Sequence, residues 1–264
     1  MKLQLSDGYL VYDHYGRGTP LLFIHGYPLS RKIWYPQIKG LSDIATVIAL
    51  DLRGHGESTP FEGPYSMDLL ADDCMYLLEK LNIKKPIVVC GLSMGGYVSM
   101  AFYRRYPDLV AGMILTSTRL GPDTNEGKAN RDIAIQNAIL KGPSFIADSM
   151  YSKMVSPKTL ISNPELVKTV RDIMANTSTQ GIIGALEGMK ERPDSTPSIS
   201  QIDRQVLILH GADDQLIPFR EAEGMNKTIK YSQLLILKDA GHLPNLEQPE
   251  QYNQTVRKFI SNMS

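Results

Sequence analysis

The sequence has no excess of charge of either sign and no long apolar run. Lysine plus arginine and aspartate plus glutamate number 28 each in 264 residues, so no net field favours nucleic acid or an anionic membrane. The first residues lack the apolar segment of a secretory signal, and no uninterrupted apolar run approaches a membrane span. We therefore expect a cytoplasmic globular protein that binds neither nucleic acid nor membrane.

The sequence also lacks the patterns of a disulfide framework, a metal site or a cofactor site. Cys74 lies in a helical pattern and Cys90 in a strand pattern, so two buried thiols are expected rather than a disulfide. The histidines and acids show no metal-ligand spacing, and no P-loop or dinucleotide fingerprint is present. His25, His55 and His210 lie in or beside turns, where structural hydrogen bonding is expected rather than proton transfer. No metal and no cofactor are predicted.

Residues 87–97 combine the end of a strand, a sharp turn and the start of a helix. The β-branched residues 87–89 lead into Gly91, Ser93 and Gly95, which form a G-x-S-x-G pattern. The glycines lack the Cβ atoms that would collide in so tight a bend, and the serine at its apex exposes its hydroxyl. This pattern predicts a nucleophile. The alternative is a glycine-rich turn with a capping serine, such as one that cradles phosphate.

Short apolar runs recur along the chain and alternate with helical patterns. Asp7 and Gly8 form a turn signal between two polar-apolar strand patterns at the N-terminus, which predicts a hairpin. The later runs are apolar on both faces, as in strands covered by helices on either side. They span residues 21–24, 45–50, 87–90, 112–115, 206–209 and 234–237. This alternation predicts an α/β fold with a mostly parallel twisted sheet and helices on both faces.

The alternation stops in the middle of the chain. Residues 119–199 contain no apolar strand pattern and read instead as helical segments separated by Gly, Pro, Ser and Asn. The expected helices span residues 128–140, 143–154, 164–176 and 179–190. We therefore predict a core domain made of residues 1–118 and 200–264, with residues 119–199 inserted as a helical cap across one end of the sheet.

An acid and a histidine follow the last two apolar runs. Asp213 and Asp214 come after the first of these runs, and His242 comes shortly after the second. Because the carboxyl ends of parallel strands meet at one edge of a sheet, these side chains are expected near Ser93. A serine hydroxyl is a weak nucleophile until a base takes its proton, and a carboxylate fixes the tautomer of that base.

These residues carry a resemblance to a known family. The chain resembles α/β-hydrolase fold enzymes, in the group of serine carboxylesterases, arylesterases and 3-oxoadipate enol-lactonases, and the match runs nearly from end to end. Five motifs in order carry it: His25-Gly26-Tyr27-Pro28, Asp51-Leu52-Arg53-Gly54-His55-Gly56-Glu57-Ser58, Gly91–Gly96, Gly211-x-x-Asp214-x-x-x-Pro218, and Gly241-His242 with Glu247-x-Pro249. Epoxide hydrolases and haloalkane dehalogenases share the first motif but have an aspartate where this chain has Ser93, which argues against both chemistries.

The resemblance implies a role for each matched residue. Ser93 would be the nucleophile, His242 the base and Asp214 its carboxylate, while Asp213 would be a solvated loop residue. The backbone N–H groups of Tyr27 and Met94 would form the oxyanion hole. The assignment of Met94 also follows from its place at the start of the helix after the serine, where free N–H groups point outward. The chemistry would be acyl transfer through an acyl-enzyme on the serine.

The substrate is less closely defined than the mechanism. Trp34, Met150 and Met154 are candidates for an apolar pocket, although the methionines also fit the cap's own core. Arg119 is a candidate for binding a substrate carboxylate, or else a surface arginine. Small or aryl carboxylic esters are expected, with enol-lactones or acyl-homoserine lactones as the alternative. A small-molecule receptor that turns over slowly is a further alternative, and the oligomeric state is expected to be monomer or homodimer.

Overall fold

An eight-stranded sheet runs through the computed structural model, which describes residues 1–263. Its strands are β1 (Lys2–Gln4), β2 (Tyr9–Gly16), β3 (Thr19–Ile24), β4 (Ala45–Leu50), β5 (Ile87–Leu92), β6 (Val110–Thr116), β7 (Gln205–Gly211) and β8 (Ser232–Leu237). They lie in the order β1-β2-β4-β3-β5-β6-β7-β8. β1 pairs with β2 and β2 with β4 in antiparallel fashion, and the remaining pairs are parallel.

Helices connect the strands. Within residues 1–263 they are α1 (Tyr35–Leu41), α2 (Met67–Lys80), α3 (Met94–Arg105), α4 (Asn125–Met154), α5 (Pro157–Ser162), α6 (Pro164–Ala175), α7 (Thr179–Lys190), α8 (Thr196–Ile199), α9 (Phe219–Thr228), α10 (Pro244–Glu247) and α11 (Pro249–Ser261), with 3-10 turns at Arg31–Trp34 and Pro107–Leu109. Capping fixes where α2 begins, because the Ser66 side chain accepts a hydrogen bond from the Leu69 N–H at 3.1 Å. Among residues 1–263, none of the helices has the length and hydrophobicity that a membrane span requires.

Hydrophobic side chains cover both faces of the sheet. Along β3 the buried residues alternate, with Leu22 and Ile24 in one core and Leu21 and Phe23 in the other. The first core contains side chains of α2, α3 and α9, and the second contains side chains of α1 and α11. The predicted mostly parallel sheet with helices on both faces is therefore confirmed.

The region between β6 and β7 consists of helices, although these strands are neighbours in the sheet. We call residues 119–199 the helical insertion. Two of its predicted helices are joined as α4, which is interrupted at Gly142, where φ is 77°, followed by Pro143. α5 was not predicted, because it has six residues and only Thr159 of them is buried, so it carries no apolar periodicity.

Candidate functional site

Ser93 occupies the sharp turn between β5 and α3. Its backbone has φ 55° and ψ −114°, a strained conformation for a residue with a Cβ atom. The turn can close because two of its residues are glycines. A Cβ on Gly91 would collide with Gly95 O and Ser99 Oγ, and a Cβ on Gly95 would collide with Ile24 O. The predicted strand-turn-helix geometry around the serine is therefore present, and the serine stands at its apex.

Neighbouring strands hold this turn in place. The Ser93 N–H donates to Thr116 O at 2.9 Å, and the hydroxyl of Thr118 donates to Ser93 O at 2.8 Å. Gly26, which follows β3, lies close to the serine from the other side, since a Cβ on it would be 3.1 Å from Ser93 Cβ. The backbone of the serine is thus fixed from both sides, while its side chain remains partly exposed.

Asp214 and His242 meet at the same edge of the sheet. Asp214 follows β7 and His242 follows β8, and His242 Nδ1 lies 2.9 Å from Asp214 Oδ2. The other carboxylate oxygen accepts hydrogen bonds from the N–H groups of Leu216 at 2.8 Å and Ile217 at 3.0 Å. Both side chains are almost fully buried, with 2% and 0% exposure for His242 and Asp214. The structure therefore brings together the acid and the histidine that the sequence predicted as partners.

The surroundings of Asp214 favour its charged form. Burial opposes ionisation of Asp214, but the adjacent His242 and the two backbone N–H donors outweigh it and hold the pKa of Asp214 below its ordinary value. A carboxylate facing Nδ1 keeps the proton on that nitrogen and leaves the lone pair on Nε2. Across residues 1–263 the Ser93 hydroxyl forms no hydrogen bond to His242. Such bonds commonly tighten only when substrate is bound.

Two backbone N–H groups lie beside the serine. Met94 is the first residue of α3, so its N–H has no acceptor inside the helix. Tyr27 follows β3, the parallel neighbour of β5, in a turn closed by the Leu29 N–H to Gly26 O at 2.9 Å. These N–H groups therefore belong to segments that flank the serine on adjacent strands, the arrangement expected of an oxyanion hole.

Comparison with known proteins agrees with this geometry. A family model described as the α/β hydrolase fold matches residues 19–249, which is most of the chain. The chain belongs to the α/β-hydrolase fold family. The malate-bound structure of a thermophilic esterase from Thermogutta terrifontis is 39% identical to this hydrolase-fold chain and superposes with a TM-score of 0.95, covering 97% of this chain and 94% of that one.

Two curated relatives have similar coverage. The 3-oxoadipate enol-lactonase 2 of Acinetobacter baylyi is 28% identical over 98% of this chain and 95% of its own length. The AB hydrolase superfamily protein YisY of Bacillus subtilis is 30% identical over 95% of this chain and 94% of its own length. The predicted resemblance to the group of esterases and enol-lactonases is thereby confirmed.

The other histidines of this hydrolase-fold chain differ in their surroundings. His25 bonds Gly26 O at 2.8 Å and accepts from the Leu52 N–H at 2.9 Å, and His55 Nδ1 bonds Arg53 O at 2.8 Å, as structural histidines do. Burial lowers the pKa of His25 to about 4 and that of His55 to about 3, so both are neutral. His210 does not fit this expectation, because neither ring nitrogen has a hydrogen-bond partner among residues 1–263.

Two of the predicted pocket residues lie in the core instead. Trp34 has no exposed surface and packs against Phe23, with ring centroids 4.8 Å apart, and against Tyr252 at 6.4 Å. Met154, at the end of α4, is also completely buried in the second core. Their large apolar side chains are used for packing in the second core. Met150 differs, because it is only partly buried and contacts both cores.

Arg119 belongs to a cluster that the sequence did not reveal. Three guanidinium groups face the single carboxylate of Asp123: Arg192 at 2.8 Å, Arg119 at 3.5 Å, and Arg131 in a close ion pair. Burial opposes ionisation of Asp123, but Arg131 and Arg192 outweigh it and hold the pKa of Asp123 below its ordinary value. Positive charge therefore exceeds negative charge in this cluster.

The cluster lies near the predicted oxyanion loop. The Tyr27 hydroxyl is buried without a hydrogen-bond partner in the described part of the chain. Burial raises the pKa of this phenol well above its ordinary value, and Arg131 is close enough to oppose that rise. Arg131, on α4, is therefore close enough to Tyr27 to affect its ionisation. The two residues are far apart in the sequence, so local spacing carries no signal for their proximity.

Proposed function

We propose that this chain is a serine hydrolase that cleaves carboxylic esters of small or aryl substrates through an acyl-enzyme on Ser93. The observation that carries the proposal is the 2.9 Å contact between His242 and Asp214, which follow strands ending at the same edge of the sheet as the strained serine turn. The name of the 39% identical relative, an esterase, supports the same chemistry. No step of the proposed reaction requires a metal or cofactor.

The proposed reaction proceeds in two acyl-transfer steps. Ser93 Oγ attacks the ester carbonyl while His242 Nε2 takes its proton, and the new imidazolium is stabilised by Asp214. The oxyanion accepts hydrogen bonds from the N–H groups of Tyr27 and Met94, each of which contributes about 3 kcal/mol to transition-state stabilisation. The imidazolium then protonates the leaving alcohol. Water, deprotonated by the same histidine, hydrolyses the acyl-enzyme and releases the acid and free serine.

In this proposal the helical insertion is a cap over the site, and residues 1–118 and 200–264 form the core. Contacts between the two regions support this division. Thr177 Oγ1 donates to Pro28 O at 2.8 Å, and the Ser178 hydroxyl donates to Gly54 O at 2.8 Å. Both acceptors lie in loops that follow β3 and β4 at their carboxyl ends. An insertion bound there would enclose the substrate and exclude water.

A second candidate substrate class is a lactone or ester that carries a carboxylate. The guanidinium cluster favours it, because its three cations outnumber the two carboxylates, Asp123 and Glu221, that act on them, and an anionic ligand would balance the remaining charge. The 28% identical relative is named a 3-oxoadipate enol-lactonase, and the esterase structure is described as malate-bound, so both names involve dicarboxylate chemistry. Arg131 and Arg119 are the residues that would face such a group.

Cytoplasmic location and a monomeric or homodimeric state stay predictions.

The first experiment compares hydrolysis of p-nitrophenyl esters from acetate to decanoate by the wild type and by Ser93→Ala. We expect turnover of many equivalents with a chain-length optimum, and a loss on the order of a millionfold in kcat for the variant. Equal rates for the two proteins would refute the proposed mechanism. A single stoichiometric burst without turnover would instead support the slow receptor.

The second experiment separates neutral from anionic substrates. It compares p-nitrophenyl butyrate with the p-nitrophenyl monoester of succinate, using Arg131→Met and, as a control, Arg105→Met, whose side chain is 38% exposed in a surface pair. Loss of one charge-assisted contact predicts that Arg131→Met lowers kcat/KM for the anionic ester about tenfold or more, while the butyrate changes little. Equal effects on both esters would exclude the carboxylate role.

A further inference from the structure

Glu247 joins two segments that are far apart in the sequence. It ends the short helix α10 and belongs to the Glu-x-Pro motif, to which the proposed reaction gives no role. One carboxylate oxygen accepts the N–H of Gly241 at 2.7 Å, and the other accepts the N–H of Ser156 at 2.8 Å. Gly241 directly precedes His242, and Ser156 lies in the helical insertion between α4 and α5. The two oxygens thus bond the histidine loop and the insertion at the same time.

The two segments also touch backbone to backbone. A Cβ atom on Gly241 would lie 2.5 Å from both Ser156 N and Val155 C, so no side chain fits between them. An exposed ion pair between Lys158 and Asp239, at 2.8 Å, is a further link. Exposed pairs contribute little, whereas backbone N–H bonds to a partly buried carboxylate are charge-assisted and stronger. Glu247 is therefore the main polar connection at this contact.

We propose that Glu247 is a positioning residue that couples the helical insertion to His242. The inference rests on the proposed function, in which His242 is the base. When the insertion is seated on its substrate, Ser156 holds the carboxylate, and the carboxylate holds the Gly241–His242 peptide in the position that aligns the imidazole. A displaced insertion releases one end of this bridge, and the histidine loses its alignment. Glu247 itself never touches the reacting atoms.

Substitution of Ser156 tests the bridge from the insertion side. Ser156 has φ −65° and ψ 154°, and Val155 has φ −124° and ψ 164°, values that accept proline at residue 156. Ser156→Pro removes the N–H that bonds Glu247, and both it and Ser156→Ala remove the hydroxyl that caps α5. The difference between these variants therefore reports the loss of the bond from the insertion to Glu247, together with the ring Cδ that proline places at the Gly241 contact. Glu247→Gln breaks the same bridge without that added atom.

Kinetics on the wild type, Ser156→Pro, Ser156→Ala, Glu247→Gln and Lys158→Ala give the first readout. The amide of Glu247→Gln can accept only one of the two N–H groups, so the bridge is broken without a change of size. We expect kcat for a neutral ester to fall about tenfold in Ser156→Pro and Glu247→Gln, with KM within about twofold. Ser156→Ala and Lys158→Ala should match the wild type. Equal kcat for the proline and alanine variants would overturn the coupling.

The second readout does not depend on turnover. The proton on His242 Nδ1 lies in the hydrogen bond to Asp214 and is observable as a low-field NMR signal. We expect this signal to broaden or shift in Ser156→Pro and Glu247→Gln but not in Ser156→Ala, at temperatures well below each melting transition. An unchanged signal in both bridge variants would overturn the inference. Absence of serine-dependent turnover in the wild type would instead refute the proposed function, and the NMR comparison would still decide the bridge.

Discussion

Replacement of Asp214 by asparagine tests the geometry of the site most directly. The carbonyl oxygen of asparagine can keep the bonds from Leu216 and Ile217, which reach one carboxylate oxygen at 2.8 and 3.0 Å. The amide NH2 then replaces the oxygen that lies 2.9 Å from His242 Nδ1. Because two donors cannot share a hydrogen bond, the imidazole takes the tautomer with its proton on Nε2. That nitrogen can no longer accept the proton of Ser93.

The expected loss is on the order of ten-thousandfold in kcat, the size known for this change in serine proteases. Stability should fall by about 1–2 kcal/mol at neutral pH, since a hydrogen bond to a charged carboxylate is replaced by a weaker one between neutral groups. Asp214 has a lowered pKa in the folded protein, so its contribution is present above the unfolded value of about 4 and disappears as pH falls through the lower folded pKa. The stability difference between the two proteins should therefore shrink below about pH 4.

Steady-state kinetics and urea unfolding between neutral and acidic pH provide the measurements. Asp213→Asn is the matched control, because this neighbouring aspartate is exposed and should tolerate the change. Retention of more than about a hundredth of wild-type kcat by Asp214→Asn would refute the tautomer argument, because a loss of about ten-thousandfold is expected from it. Equal losses in the two variants would instead point to a general disturbance of the loop.

Two further predictions concern stability. Gly91→Ala should lower the free energy of unfolding by about 3 kcal/mol or more, because the new Cβ collides with backbone across the serine turn. Gly127→Ala is the control. It should be neutral or stabilising, because Gly127 lies in a helix and the nearest neighbour of its Cβ would be 3.4 Å away. Equal melting temperatures would contradict this. Arg31→Met should cost about 3–5 kcal/mol, because it leaves the buried Asp51 without its cation, and Arg105→Met on the surface less than about 1 kcal/mol. Burial already raises the pKa of Asp51, so the stability difference between the wild type and the Arg31 variant should shrink as pH falls from neutral; a growing difference would contradict the argument.

The elements that position the site were predictable from local pattern. Strands covered on both faces are continuous apolar runs, and the bounds of β4 match residues 45–50 of the sequence. α9 was not predicted, because only Ala222 and Met225 of its ten residues are buried, too few to give a helical period. The order of turn residues after each strand predicted that Asp214 and His242 would meet, since parallel strands end at one edge.

The walls of the site were not predictable in the same way. Trp34 follows a motif loop that reaches the serine, yet its side chain packs against Phe23 and Tyr252 inside the second core. The sequence alone does not determine which face a loop residue enters. The guanidinium cluster poses the same difficulty, because Arg192 and Asp123 are 69 residues apart and meet only through the packing of the insertion.

Backbone packing explains why the acid and the histidine stay in register. A Cβ on Gly211 would contact the carbonyl oxygens of both Ala240 and Gly241, and the Asp213 N–H donates to Ala240 O at 2.9 Å. Contacts between backbone atoms therefore set the distance between the two loops. At this distance Asp214 and His242 form their hydrogen bond. Gly241 also touches the insertion. A displacement of the insertion would consequently act on the same backbone that holds His242 against Asp214. In the proposed coupling, Glu247 therefore influences the reaction without touching the substrate.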